Sequence, residues 1–446
     1  MTQTNQKLKG AFIAVTSLFF IWGFITVLVD ALIPRLKEVF ELEYWQAGLV
    51  QFAWFTAYGL VSIPAGIYLS RTSYKRGIVT GLLIAGVGCL TFYPAAEFRV
   101  FGIFLAALFI LASGITVLQV AANPYISVLG APEGAASRLN LAQAFNSLGT
   151  TIAPLISAAF LLSDKIYTTD ELNVLSESES AAYYASEASA VQMPFALLAL
   201  SLIGLAVIFR FVKLPNIISG DHISLQSVKT VLSNRRLMFG ALCIFVYVGA
   251  EVAIGSFLTN YFIDLDIYHS VMQNDTMTSI LGFISTNFNG KELAALDAKG
   301  VVGTFVFFYW GSAMLGRFVG AGLMSKIDPG LILSIFGIGA IGLVLWSISS
   351  VGFTAMFAIL GVGFFNSVMF PTIFSMSIEK LGDNKPEGSG VLCTAIAGGA
   401  FIPPLVGSLR DAHGTFESAF ILPIFCYAII FTFALVYRRR SSKALA

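Results

Sequence analysis

The sequence predicts an all-α membrane protein with about twelve transmembrane helices in two repeated halves. Three observations predict it: a composition suited to lipid, a series of long apolar stretches, and a polar-residue and proline pattern that recurs six stretches later. Of 446 residues, 57% are hydrophobic and 11% charged, against about 25% charged in a soluble domain. So little charge cannot cover a water-facing surface, and a lipid bilayer is the consistent partner. The net charge of +1 provides no basic footprint, which excludes a nucleic-acid partner.

A helix needs roughly 20 apolar residues to cross the hydrocarbon core. Such stretches fall at 11–33, 45–69, 77–96, 100–129, 139–162 and 191–212, then at 236–263, 300–325, 329–349, 352–378, 388–409 and 416–437. They are numbered spans 1 to 12. The first run is too long for a signal h-region and lacks a small-residue cleavage site, so it counts as a span. Cys89, Cys243, Cys393 and Cys426 all fall inside spans without a CxxC pair and read as buried thiols.

An even number of spans places both termini on one side. With the termini inside, eighteen Lys and Arg fall on inner segments and seven on outer ones; this bias predicts cytoplasmic termini. The outer connections 163–190 and 264–299 read as loops. The chain divides into an N-terminal half at 1–213, a polar, basic linker at 214–235 and a C-terminal half at 236–446.

The halves read as copies. Gln119 precedes Pro124 by five residues in span 4, and Asn366 precedes Pro371 by five in span 10. Pro132-Glu133-Gly134 opens span 5, followed by Gly149 and Pro154; Pro386-Glu387-Gly388 opens span 11, followed by Gly399 and Pro404. Proline in a membrane helix frees a carbonyl and permits a kink, which gives Pro124 and Pro371 a gating or structural role. Gly337, Gly339 and Gly342 fit a GxGxxG pattern, but mid-span and without strand context they indicate close helix packing, not a dinucleotide site.

An ionisable side chain inside a bilayer costs about 2.5–3.5 kcal/mol on insertion scales and marks function by default. Asp30 in span 1, Glu251 in span 7 and Arg317 in span 8 qualify. Asp30 fits a coupling-ion site. Glu251, among small residues, fits a ligand contact or a buried pairing. Arg317 lies nearer the inner end and fits a snorkelling or gate-pairing arginine. Neutral amides form a second group. Gln119 and Asn123 share a face of span 4; Gln143 and Asn146, beside Ser147, share a face of span 5; Asn366 adds span 10. Amides donate and accept together, which suits a polyhydroxylated ligand such as a sugar. Trp22, Trp54, Phe308, Tyr309 and Trp310 are candidates for stacking on its ring. No nucleophile–base set or metal-ligand set is visible, which argues against an enzyme and against a cofactor.

The stretches Phe20–Thr26 with Asp30–Pro34, Gln119–Pro124, Arg138–Gly149 and Phe365–Thr372 resemble the fucose–proton symporter family of the major facilitator superfamily, and within it the bacterial glucose/galactose transporter branch. The resemblance runs through nearly all spans. It implies the major facilitator fold and a cation-coupled sugar symporter of the bacterial inner membrane. It also implies that Asp30 carries ion coupling and that Gln143 and Asn146 contact sugar. The family's span 4 glutamate falls on Gln119, which cannot titrate, and the asparagine usual before the span 1 acid is Val29. A single carboxylate beside neutral oxygens favours Na⁺ over H⁺, with Asp30 and Gln119 as its ligands. The expected function is symport of a neutral hexose (glucose, galactose, mannose or N-acetylglucosamine). Asn123, Gln143, Asn146, Glu251 and Asn366 are expected around the sugar. One chain holds a whole cavity, so a monomer is expected. An exporter or drug–proton antiporter of the same fold is the alternative; it would need a more apolar cavity. A sugar sensor that does not transport would need longer signalling extensions.

Overall fold

The computed structural model describes residues 3–39, 44–98, 100–161, 176–215, 225–289 and 291–438. Eleven helices among them are long and apolar enough to cross a bilayer: Leu8–Val27, Leu49–Ser70, Tyr74–Phe98, Phe101–Val128, Gln192–Phe211, Arg235–Asp264, Ala298–Met324, Pro329–Ile348, Gly352–Ile378, Gly382–His413 and Phe416–Tyr437. The helix Ala135–Leu161 is span 5 and completes the twelve. The four cysteines are buried, free thiols.

Each half packs around its own helices. Spans 3 and 4, 1 and 5, and 3 and 6 adjoin in the first; spans 9 and 12, 7 and 11, 8 and 10, and 9 and 10 adjoin in the second. One kind of contact occurs in each half. Gly149 of span 5 lies against the Phe20 carbonyl of span 1, and Gly398 of span 11 against the Phe245 carbonyl of span 7. A Cβ at either position would overlap main chain, so glycine is what lets each pair of helices touch. Of the GxGxxG glycines, Gly339 packs closely on the Phe365 ring and Gly337 against Phe431, whereas Gly342 faces open space.

Two outer connections differ from the loops expected of them. Span 6 belongs to a helix that begins at Glu177, outside its apolar stretch. Its start is fixed by a capping box, in which Ser176 accepts from the Glu179 amide while the Glu179 carboxylate accepts from the Ser176 amide and hydroxyl. These hydrogen bonds hold the Glu179 carboxyl below its ordinary pKa. Between spans 7 and 8 lie the helices Ile267–Met272 and Asp275–Ile284 and a turn at Ser285–Asn289. Asn274 caps the second through Met277 N–H at 3.0 Å. Short polar caps between modest apolar runs produce these elements, too brief to register as spans. The linker carries the helix Leu225–Leu232.

Candidate functional site

The two halves meet along spans 2 and 11 and spans 5 and 8. The face where span 1 begins and span 12 ends is called the near face, its opposite the far face. Span 5 begins at the near face and span 8 ends there, so their contacts climb from it. Ser137 Oγ donates to Ala321 O at 2.7 Å. Asn140 Nδ2 donates to Thr372 Oγ1 at 3.1 Å and contacts Met324 Sδ at 3.3 Å. Higher up, Arg317 Nη1 reaches Ser147 Oγ and, at 3.5 Å, Gln143 O. Asn140 and Thr372 are fully buried, and these hydrogen bonds between the halves seal the near face, although the buried Asn140 Oδ1 meets no partner.

Two main-chain acceptors, one across the seam and one beside it, exist because of proline. A proline has no N–H to give the carbonyl four residues earlier. Pro124 therefore leaves Val120 O free, and Ser389 Oγ of span 11 takes it at 2.8 Å. Pro371 leaves Ser367 O free, and Arg317 Nε takes it at 3.2 Å. Span 10 is interrupted there, between the helices Gly352–Asn366 and Met369–Ile378.

Above the seal lies a cavity of about 580 Å³, within the range of small-ligand sites. The N-terminal half contributes Thr26, Asn146, Ser147, Thr150 and Thr151; the C-terminal half contributes Glu251, Trp310 and Arg317, with Thr304 and Phe307 toward the far face. Asn146 Nδ2 donates to Phe19 O at 2.9 Å, pinning span 5 to span 1. Thr150 and Thr151 both donate to Ser147 O at 2.8 Å, which turns their oxygen lone pairs into acceptors for a ligand. Tyr247 Oη donates to Glu251 Oε1 at 2.7 Å and fixes that carboxylate.

Among the sequence-predicted residues, Asn146, Glu251 and Arg317 line this cavity together. Gln119, Asn123, Gln143 and Asn366 lie behind it in the core. Gln119 Nε2 donates to Tyr58 Oη at 2.6 Å, joining spans 4 and 2. Gln143 Nε2 donates to Asn123 Oδ1 at 3.4 Å, joining spans 5 and 4. Asn366 Nδ2 donates to Tyr309 Oη at 2.7 Å. The Asp30 side chain lies outside the described residues; its backbone continues the span 1 helix. Asp30 is four residues after cavity-lining Thr26, on the same helix face. Of the aromatic candidates, Trp310 lines the cavity. Sequence reasoning missed Thr26, Thr150 and Thr151, although Thr150 and Thr151 follow Asn146 and Ser147 by one helical turn. It also missed Tyr58 and Tyr247, which hold Gln119 and Glu251, and gave Tyr309, which holds Asn366, a stacking role instead. Among the described residues no cluster of metal-ligating side chains occurs.

A twelve-helix bundle of two like halves, closed on one face around a midplane cavity to which both halves bring polar groups, is the architecture of an alternating-access carrier rather than an enzyme. The chain belongs to the Major Facilitator Superfamily, whose profile matches residues 10–384. It is 45% identical over 436 residues to the glucose/galactose transporter of Brucella abortus, covering 97% of this chain and 95% of that one. It is 34% identical to the L-fucose-proton symporter of Escherichia coli, covering 97% and 93%. A crystal structure of the transporter FucP in the outward conformation superposes with a TM-score of 0.84 at 32% identity, covering 96% of this chain and 99% of that one.

Proposed function

We propose that this chain imports a neutral hexose together with a cation, across a bacterial inner membrane, as a monomer with both termini in the cytoplasm. The observation that carries the reading is the cavity: large enough for a hexose, rimmed by hydroxyls and an amide on one half and by Glu251, Trp310 and Arg317 on the other. Hydroxyl-rich sugars need such mixed donors and acceptors, and Trp310 offers a face for the ring. That equipment suits a sugar better than the apolar cargo of a drug exporter. Glucose and galactose lead among hexoses because the relatives from Brucella abortus and Helicobacter pylori bear those names. The outward conformation of the solved relative supports reading the near face as cytoplasmic.

The coupling ion is proposed to bind at Asp30. Gln119 in place of an acid favours Na⁺; the fucose relative, a proton symporter by name, favours H⁺. Either is energetically adequate, since one charge crossing 100 mV gives about 2.3 kcal/mol, or roughly fifty-fold accumulation. The test is uptake of labelled glucose into proteoliposomes under an imposed Na⁺ gradient or an imposed pH gradient, with unlabelled sugars competing. Na⁺-driven uptake makes Asp30 a metal site, and proton-driven uptake makes it a protonation site. Asp30→Asn is expected to abolish accumulation while sparing exchange. Absence of uptake under both gradients, without sugar binding, sinks the proposal.

A further inference from the structure

Glu251 and Arg317 are opposite charges on the C-terminal wall of one cavity. They lie close enough for their charges to act on each other, yet no ion pair joins them among the described residues, where the pairs are Arg236 with Glu379, His269 with Asp266, and Arg410 with Asp264 and Asp411. Glu251 is instead held by Tyr247, its neighbour one turn earlier on span 7. Arg317 is divided between the halves. Its Nε is anchored within its own half, on the Ser367 carbonyl that Pro371 leaves free. Its Nη1 reaches across the seam to Ser147 Oγ and Gln143 O of span 5.

Opening the near face must part span 5 from span 8. The Ser367 anchor travels with Arg317, because spans 8 and 10 belong to the same half. The two span 5 acceptors do not. A guanidinium stripped of its acceptors inside a membrane protein is strongly disfavoured unless a new partner is in reach. Glu251 is the acid on its own half that shares its cavity wall.

We infer that Arg317 changes partners during the cycle, held by Ser147 and the Gln143 carbonyl while the near face is sealed and by the Glu251 carboxylate once it opens. The inference rests on the alternating-access reading above. Anchored at Nε, the guanidinium swings its outer nitrogens from one half to the other. The sealed state spends Arg317 on the seam and leaves Glu251 facing the cavity; the open state spends both on each other. A sugar hydroxyl bound to Glu251 is then displaced as the near face opens, so the same swing that opens the exit weakens the hold on the cargo. The pair stabilises a single state, and that is what an energetic coupling between opening and release requires.

The experiment reads opening directly, without sugar or ion gradient. Thr372→Cys places a thiol in the sealed seam, where Thr372 is fully buried; a membrane-impermeant maleimide is applied from the near face in inside-out vesicles, with the protein lacking that substitution as background. Glu251→Gln leaves Arg317 without its open-state partner, and labelling is expected to slow at least about fivefold, the lower end of ordinary coupling between sites. Glu251→Asp, which keeps the carboxylate, is expected to retain most of the labelling. The double variant Glu251→Gln with Arg317→Gln removes both charges and is expected to return labelling to at least the starting rate, a rescue that simple misfolding of Glu251→Gln would not give. If Glu251→Gln labels as fast as the parent, or the double variant stays as slow as the single one, the partner exchange is wrong while transport stands. If the parent itself is never labelled, the near face does not open, and this inference and the transport reading fall together.

Discussion

Asn366 is fully buried in the middle of a membrane span, where an unpartnered amide or hydroxyl is costly. It spends its Nδ2 on Tyr309 Oη at 2.7 Å, and Tyr309 is itself completely buried. The two polar groups tie span 10 to span 8 beside the cavity and keep the wall that carries Arg317 and Trp310 in place. Asn366→Ala leaves the Tyr309 hydroxyl without that donor. A loss of about 1–3 kcal/mol of stability is expected, read as a lower Tm of the detergent-solubilised protein. Tyr309→Phe in the same background should recover part of it, because both partners are then gone. A tyrosine partner for Asn366 was not legible in the sequence. The amide announced a buried polar site by its type, but the Tyr309 hydroxyl that meets it is 57 positions away and one aromatic among many.

At the scale of the element, spans 4 and 10 owe their behaviour to what their prolines lack. Pro124 lies inside the helix Phe101–Val128, and the carbonyl it leaves free is the one Ser389 uses to hold span 11. Pro124→Ala restores an amide to that position, which then competes with Ser389 for Val120 O. The seam is expected to loosen by about 0.5–1.5 kcal/mol, and maleimide labelling of Thr372→Cys from the near face is expected to speed up several-fold; unchanged labelling would mean that both donors share the carbonyl at no cost. Both prolines and their amide partners are legible in the sequence at equal spacing, which is why the repeat is visible there. That each freed carbonyl has an occupant is not, because Ser389 and Arg317 come from other spans. The capping box at Ser176 and Glu179 was legible in principle, and reading it would have extended span 6 outward.

For the whole molecule, the composition and the series of apolar stretches were sufficient for twelve spans in two halves, since a bilayer permits few other arrangements of so apolar a chain. The conformation was not available from the sequence, because two states of a carrier share one sequence and differ in which seam is closed. Here the closed seam runs along spans 5 and 8 at the near face. Joining Ser137→Cys to Ala321→Cys with a short bifunctional reagent is expected to hold it shut: transport should stop, while sugar binding from the far face remains. Loss of both activities would show that far-face binding needs the seam to move. The distribution of the amides follows the same logic. Asn146 pins span 5 to span 1 through the Phe19 carbonyl, so the hydroxyl-bearing wall and the helix of Asp30 move as one body.

The seam's reliance on main-chain acceptors bears on how such a protein can drift. Ser137 and Ser389 address the carbonyls of Ala321 and Val120, and a carbonyl is present whatever side chain a mutation puts there. Residues 321 and 120 are thus free to change within the limits of size and polarity. The serines are not, and neither is the proline that vacates one of the carbonyls. In descendants of this chain the positions bound to change together are Ser389 and Pro124, a pair that do not share the hydrogen bond they jointly make possible.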